Sequence, residues 1–280
     1  MLALGLGMIA ALCWAVHDIC VRFVSQSGAI YPALVAVVLS GTVAMLPLTL
    51  WLGHWDTMTR TAYGLSAVSG VFFTVASVGL YNAFGIGPVR LVAPIIGSFP
   101  VLSVGWAAWN GQAIAGDQWA AIALVVGGVG LVSVLSDEDE SNGSQLKAII
   151  WSLVAAFGFF ATFATGQAAT LVGDELPVTL VSRLIAVVLL TMILLRQTGP
   201  KIPARRNWPL LGVMGVLDAI ALSMIMSAGT LDRPEFAAVA ASTFGALTII
   251  LAWTFLKERM TGGQWIGVAL TFTGIGYLAI

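Results

Sequence analysis

The chain has 280 residues, of which 59% are hydrophobic and 9% charged, and its mean hydropathy is +0.98. A water-facing domain carries about 25% charged residues. This composition therefore excludes a soluble enzyme, a nucleic-acid binder and a disordered chain, and the net charge of −1 offers no basic footprint for nucleic acid. What remains is an all-α polytopic membrane protein. A span needs about 20 apolar residues to cross roughly 30 Å of hydrocarbon, and ten such spans leave short connections and no sizeable extramembrane domain.

The first predicted helix, residues 2–24, has no basic leader and no clear cleavage site, and is read as a retained span. Cys13 and Cys20 lie seven residues apart on it, about 10.5 Å of axial rise. That is beyond disulfide reach, so both are read as packing residues. Asp18 and Arg22 are four residues apart and can pair on one helix face. His17 is either a substrate hydrogen-bonding group or a satisfied packing histidine. The second helix covers 31–52, with His54 in the loop after it, and the third covers 62–84. The fourth, 88–110, contains Pro94 and Pro100, each of which removes a backbone donor and frees a carbonyl. Freed carbonyls in lipid must find partners or line a wet cavity. The segment from Ile95 to Phe99 is thus a candidate site, with an ordinary kink as the alternative. The fifth helix is 116–135, and a polar stretch at 136–146 reads as a linker. The remaining helices are predicted at 147–171, 176–195, 208–229, 234–256 and 263–279. Asp218 lies midway along the eighth. It either serves a substrate ammonium or a proton, or pairs with Arg183 of the seventh. Arg90, Asp232, Arg233, Glu235, Lys257, Glu258 and Arg259 flank helix ends, where snorkelling explains them or a gating ion pair uses them.

The two halves repeat. Gly116-Asp117-Gln118-Trp119 recurs as Gly262-Gly263-Gln264-Trp265 and Pro88 as Pro234, at an offset of 146. Pro32 recurs as Pro177, and Ala10-Ala11 as Ala155-Ala156, at an offset of 145. Residues 1–135 and 147–280 therefore read as two five-helix copies. An odd number of spans forces the second copy into the bilayer upside down, as in many secondary transporters. The offset matches Trp14 with Phe159, His17 with Thr162, Phe73 with Asp218, and the Pro94–Pro100 segment with Ser242, Thr243 and Phe244. The two proline-segment copies are expected to face each other across the cavity. Aromatic walls stack flat groups and attract cations, so Trp14, Phe99, Phe159 and Phe244 are expected at a cavity. Phe72, Phe73, Tyr81, Trp106 and Trp109 add further rings. No GxSxG, HExxH, phosphate-cradling loop or cysteine–histidine metal spacing is present, so no enzyme, cofactor or metal site is expected.

The stretch Leu251-Ala252-Trp253-Thr254-Phe255-Leu256-Lys257-Glu258-Arg259-Met260-Thr261, followed by Gln264-Trp265-Ile266-Gly267 and Gly274, resembles the end of the EamA repeat of the drug/metabolite transporter superfamily. Trp14-Ala15 resembles its start. The first half departs from the pattern, with Gly111-Gln112-Ala113 standing where Lys257-Glu258-Arg259 stands in the second. The resemblance implies a basket in which helices 1–4 and 6–9 surround a central cavity. Helices 5 and 10 would lie outside, their Gly127-Gly128-Val129-Gly130 and Gly274-Ile275-Gly276 letting backbones approach. The aromatic content and Phe99-Pro100 look like bacterial aromatic amino acid exporters of the YddG type.

The function this implies is a secondary transporter in the bacterial inner membrane, exporting small metabolites, amino acids first, by alternating access. Drug-like or cationic toxic compounds, or a passive channel-like facilitator, are the alternatives. The expected substrate contacts are Trp14, His17, Phe73, Tyr81, Ser98, Phe99, Phe159, Thr162, Asp218, Thr243 and Phe244, with helix breaks at Pro94 and Pro100. The expected partners are a small molecule and the lipid bilayer. Ten spans place both ends on one side. The resemblance implies that side is cytoplasmic, whereas Arg196, Lys201, Arg205 and Arg206 put the other side inside by their charge.

Overall fold

The computed structural model describes residues 2–26, 30–109, 115–135, 145–231 and 235–277. Residues 111–113, most of the linker at 136–144, and Asp232 and Arg233 lie outside the described residues, as does the side chain of Glu235. Among the described residues every regular element is helical. That is the solution apolar surroundings demand, because a helix satisfies its own backbone donors and acceptors. We label the helices α1 (Leu2–Ser25), α2 (Ile30–Leu52), α3 (Arg60–Ile86), α4 (Val89–Gly97), α5 (Phe99–Trp109), α6 (Gly116–Val134), α7 (Gln145–Thr170), α8 (Glu175–Arg196), α9 (Trp208–Ser227), α10 (Glu235–Ser242), α11 (Phe244–Leu251) and α12 (Gly262–Tyr277). Six of them, α1–α3 and α7–α9, are long and apolar enough to cross a membrane individually. Helix ends carry ordinary chemistry. Thr59 Oγ1 accepts from the Ala62 amide, and Asp174 Oδ1 from the Leu176 amide.

The fourth predicted helix is two, α4 and α5, and the ninth is likewise divided into α10 and α11, followed by a wider π-type turn over Ala252–Leu256. The breaks fall at Ser98 and Thr243, equivalent positions at the 145 offset. Pro100 accounts for the first. The second has no proline, yet is built the same way: Ser98 Oγ donates to Ile95 O at 2.7 Å and Thr243 Oγ1 to Ala240 O at 2.6 Å. The hydroxyls thus take up the carbonyls of the broken turn. Pro94 sits inside α4 without ending it.

Packing contacts come in pairs that exchange the two halves. α1 lies on α9, as α7 lies on α3; α2 lies on α9, as α8 lies on α3. α6 and α12 pair with each other. A Cβ on Gly128 would press on Gly267 and Thr271, and one on Gly274 on Ala121, Val125 and Leu124. Gly128 and Gly274, and likewise Ala121 and Gly267, are equivalents at the 146 offset. The two helices therefore run antiparallel through the same surface. The same exchange holds for Gly70, against Ser182 O of α8, and Gly215, against Val37 O of α2.

Contacts at the helix ends sort the connections into two mouths. At one, His54 Nδ1 meets Asp174 Oδ2 at 3.0 Å, Thr59 Oγ1 donates to Val172 O at 2.9 Å, and Tyr277 OH donates to Asp117 Oδ2 at 2.9 Å. At the other, Glu258 accepts the Val89 and Arg90 amides at 3.1 and 3.3 Å, and its Oε1 lies 3.8 Å from Arg22 Nε. Arg22 Nη1 donates to Phe84 O at 2.6 Å and Arg90 Nη1 to Arg259 O at 3.0 Å. Arg22 thus serves this mouth and is not the partner of Asp18 that spacing suggested. Helix spacing permitted the pair, but tertiary partners closer to the helix end took the guanidinium. Arg90 is buried by the same contacts, beyond what snorkelling accounts for.

His54 lies outside the spans, and the Asp174 carboxylate beside it holds its pKa above the ordinary histidine value. A raised folded-state pKa means the pair's contribution is whole below about pH 6.5 and fades as pH rises through the raised value. His54→Gln should therefore lower the unfolding temperature slightly at about pH 5 and leave it unchanged at about pH 9. Melting curves in detergent at the two pH values check this; an equal change at both contradicts the pair.

Candidate substrate-binding site

Where the halves meet, aromatic rings from both line a cavity of about 20 Å³. It is a set of narrow gaps rather than a chamber, with room for about one water molecule before a side chain must move. Trp14 of α1 is its hub. Its ring centroid lies 5.5 Å from that of Phe163, stacked, and 6.1 Å from both Phe159 and Phe244. Phe99 meets Phe163 edge-on at 5.3 Å. First-half rings thus interleave with second-half rings through offset and edge contacts, the arrangements aromatic quadrupoles favour. Phe73, Tyr81, Leu34, Val37, Val38, Ser77 and Leu80 complete the wall.

The polar groups form two sets. Asp218 is fully engaged: Arg183 Nη1 donates to Oδ2 at 2.7 Å and Trp14 Nε1 to Oδ1 at 3.2 Å. Arg183 itself is 0% exposed. Its Nη2 donates to Val38 O at 3.3 Å, and its guanidinium lies 5.6 Å from the Phe73 ring centre. One ion pair in this way ties α8, α9, α1, α2 and α3 together. A charge pair out of water persists only with such additional partners.

The second set is less complete. His17 Nδ1 lies 3.1 Å from Asp18 Oδ1, and His17 and Tyr81 rings are edge-on at 6.3 Å. Asp18 Oδ2 and Tyr81 OH are buried with no hydrogen-bond partner among the described residues, and both residues line the cavity.

Of the expected contacts, Trp14, His17, Phe73, Tyr81, Phe99, Phe159, Asp218 and Phe244 line this cavity. Ser98, Thr162 and Thr243 do not. The Thr162 hydroxyl is returned to Gly158 O at 2.7 Å, and those of Ser98 and Thr243 cap the helix breaks. The proline segment and its copy do not face each other across free space. They touch, since a Cβ on Gly97 would stand 3.3 Å from Ser242 O and one on Gly245 2.9 Å from Ala93 O. Trp106 and Trp109 point outward, the latter 85% exposed, and Phe72 packs on Phe157 instead. Phe163 and the open edge of Asp18 were not anticipated. Asp18 carried a signal, a carboxylate deep in an apolar run, but the nearby Arg22 seemed to account for it.

The solved structures include a crystal structure, described only as that of a protein, that superposes with a TM-score of 0.70 at 15% identity, covering 98% of this chain and 95% of that one. At that identity the match speaks for the fold. No curated protein matches the chain. The EamA-like transporter family matches twice, over residues 1–134 and 146–280, which is nearly the whole length and one match per half. With its paired packing and its central cavity, the chain belongs to the EamA-like transporter family, whose members are membrane transporters of small molecules.

Proposed function

We propose that the protein is a secondary transporter that exports small organic metabolites, aromatic and neutral amino acids first among them, across the bacterial inner membrane. The transport unit is the pair 1–135 and 147–280, joined by the polar linker 136–146, and it works by alternating access. Each half rocks against the other, so the cavity faces one mouth and then the other. The observation that carries the reading is the aromatic cavity at the junction of the halves, with Trp14 and Phe99 from one interleaved with Phe159, Phe163 and Phe244 from the other. A site shared by two moving bodies is what alternating access requires. The narrowness of the cavity supports a closed conformation that must part its rings to admit a substrate.

The test is counterflow in proteoliposomes. Labelled tryptophan or phenylalanine outside should accumulate transiently when the unlabelled compound is loaded inside. Equilibration without any stimulation by substrate on the opposite face would indicate a passive facilitator and overturn alternating access.

A further inference from the structure

We infer that Asp18 and Tyr81 form the ammonium-binding end of the cavity and that the protein selects amines, with or without a carboxylate. The inference rests on the transport reading above and names its substrate class. Three observations lead to it. Asp18 is 2% exposed and Tyr81 1%, yet Asp18 Oδ2 and Tyr81 OH have no partner among the described residues, and both residues face the same cavity. A carboxylate oxygen held from water with no donor is costly, and an incoming N–H donor is what relieves it.

The charge count of the cavity points the same way. Its lining contains two carboxylates, Asp18 and Asp218, and, among the described residues, neither lysine nor arginine. The one guanidinium behind the wall, Arg183, gives its terminal nitrogens to Asp218 and Val38 O, and its buried Nε has no partner among the described residues. Asp18 therefore has no lysine or arginine beside it in the cavity wall. The aromatic rings of Trp14, Phe73 and Tyr81 line the same cavity.

No equal provision exists for a substrate carboxylate. The indole N–H of Trp14 is spent on Asp218. An ionised Asp18 is an acceptor only, so the His17 Nδ1 contact is a donation to it. The serine hydroxyl of Ser77 and the phenol of Tyr81 remain as neutral donors. The site therefore has a strong place for an ammonium and a weak one for a carboxylate.

The experiment uses the full chain, purified in detergent and in proteoliposomes, with three probes of one shape. These are phenylalanine, phenethylamine and 3-phenylpropionate, which keep both groups, the amine alone and the acid alone in turn. Binding is measured by calorimetry and transport by flux. The amine is expected to bind at least as tightly as the amino acid, and the deaminated acid at least tenfold more weakly than either. Asp18→Asn should weaken the amine at least tenfold and leave the deaminated acid unchanged. Tyr81→Phe, which removes one hydroxyl and keeps the ring, should weaken the amine severalfold and serves where Asp18→Asn does not fold. Deaminated acid bound as well as the amine, or an affinity order unchanged in both variants, overturns the inference while leaving transport intact. Silence of all three probes in binding and flux overturns the transport reading for this substrate class and the inference with it.

Discussion

Asp218→Leu should destabilise the protein by about 3–5 kcal/mol, because it leaves the Arg183 guanidinium buried without its counter-charge. Arg183 is wholly enclosed, donates at 2.7 Å to Asp218, and has one further bond, to Val38 O at 3.3 Å. A lone carbonyl cannot neutralise it, and no water reaches it to help. Arg183→Met should fail for the mirrored reason, although less severely, since Asp218 keeps the indole N–H of Trp14. The double replacement should recover most of the loss, because both charges disappear together and apolar side chains of similar volume fill the space. Thermal unfolding of the four proteins in one detergent forms a double-mutant cycle. Additive losses in that cycle would show that the two residues act independently. Counterflow by the double variant would then show whether the pair only holds the helices or also sets the position of Trp14 in the cavity wall.

The second large effect is expected where α2 and α9 cross. A Cβ on Gly215 would overlap Ser40 Oγ and Val37 O and stand 2.7 Å from the Gly41 amide nitrogen. One on Gly41 would overlap Gly215 O and a guanidinium nitrogen of Arg183. The obstacles are mostly backbone, so no rotamer change relieves them, and the helices must separate. Gly215→Ala and Gly41→Ala should each cost about 1–3 kcal/mol, and leucine at either position should prevent folding. Gly212, on the same helix, has nothing within 4 Å of a built Cβ. Gly212→Ala should be neutral or stabilising by up to about 1 kcal/mol, from helix propensity. Unfolding curves of the three alanine variants decide the matter; equal losses at Gly212 and Gly215 would contradict the close approach. In lipid this crossing matters more than it would in water. The surroundings are as apolar as the interface, so close backbone packing rather than hydrophobic burial holds the helices together.

Much of this was open to reading from the residues. A charged fraction of 9% cannot cover a water-facing surface, so the membrane class and the helical fold followed from solvation alone. Recurrence of Gly116-Asp117-Gln118-Trp119 and of Pro32 at nearly one offset implied two copies, and the structure pairs equivalent surfaces of both. Matching Trp14 to Phe159 and Phe99 to Phe244 put four rings at one cavity before any helix was placed, and all four line it.

Rotation about each helix axis was not open in the same way. A soluble helix announces its buried face by alternating polar and apolar residues, whereas here lipid and core want the same side chains. Trp106 and Trp109 therefore looked as suitable for the cavity as Phe73, and turn outward instead. The break at Thr243, where no proline stands, follows its Ser98 counterpart through hydroxyl capping that residue type alone does not announce. Spacing offered Arg22 to Asp18, while the fold gave Arg22 to Glu258 and Phe84 O. Composition and repetition were enough for what the chain is and how often it crosses. Which polar atom stays unpartnered in the cavity was settled by helix packing, because a charge in a dry interior is decided by the nearest few ångströms, and those come from distant parts of the chain.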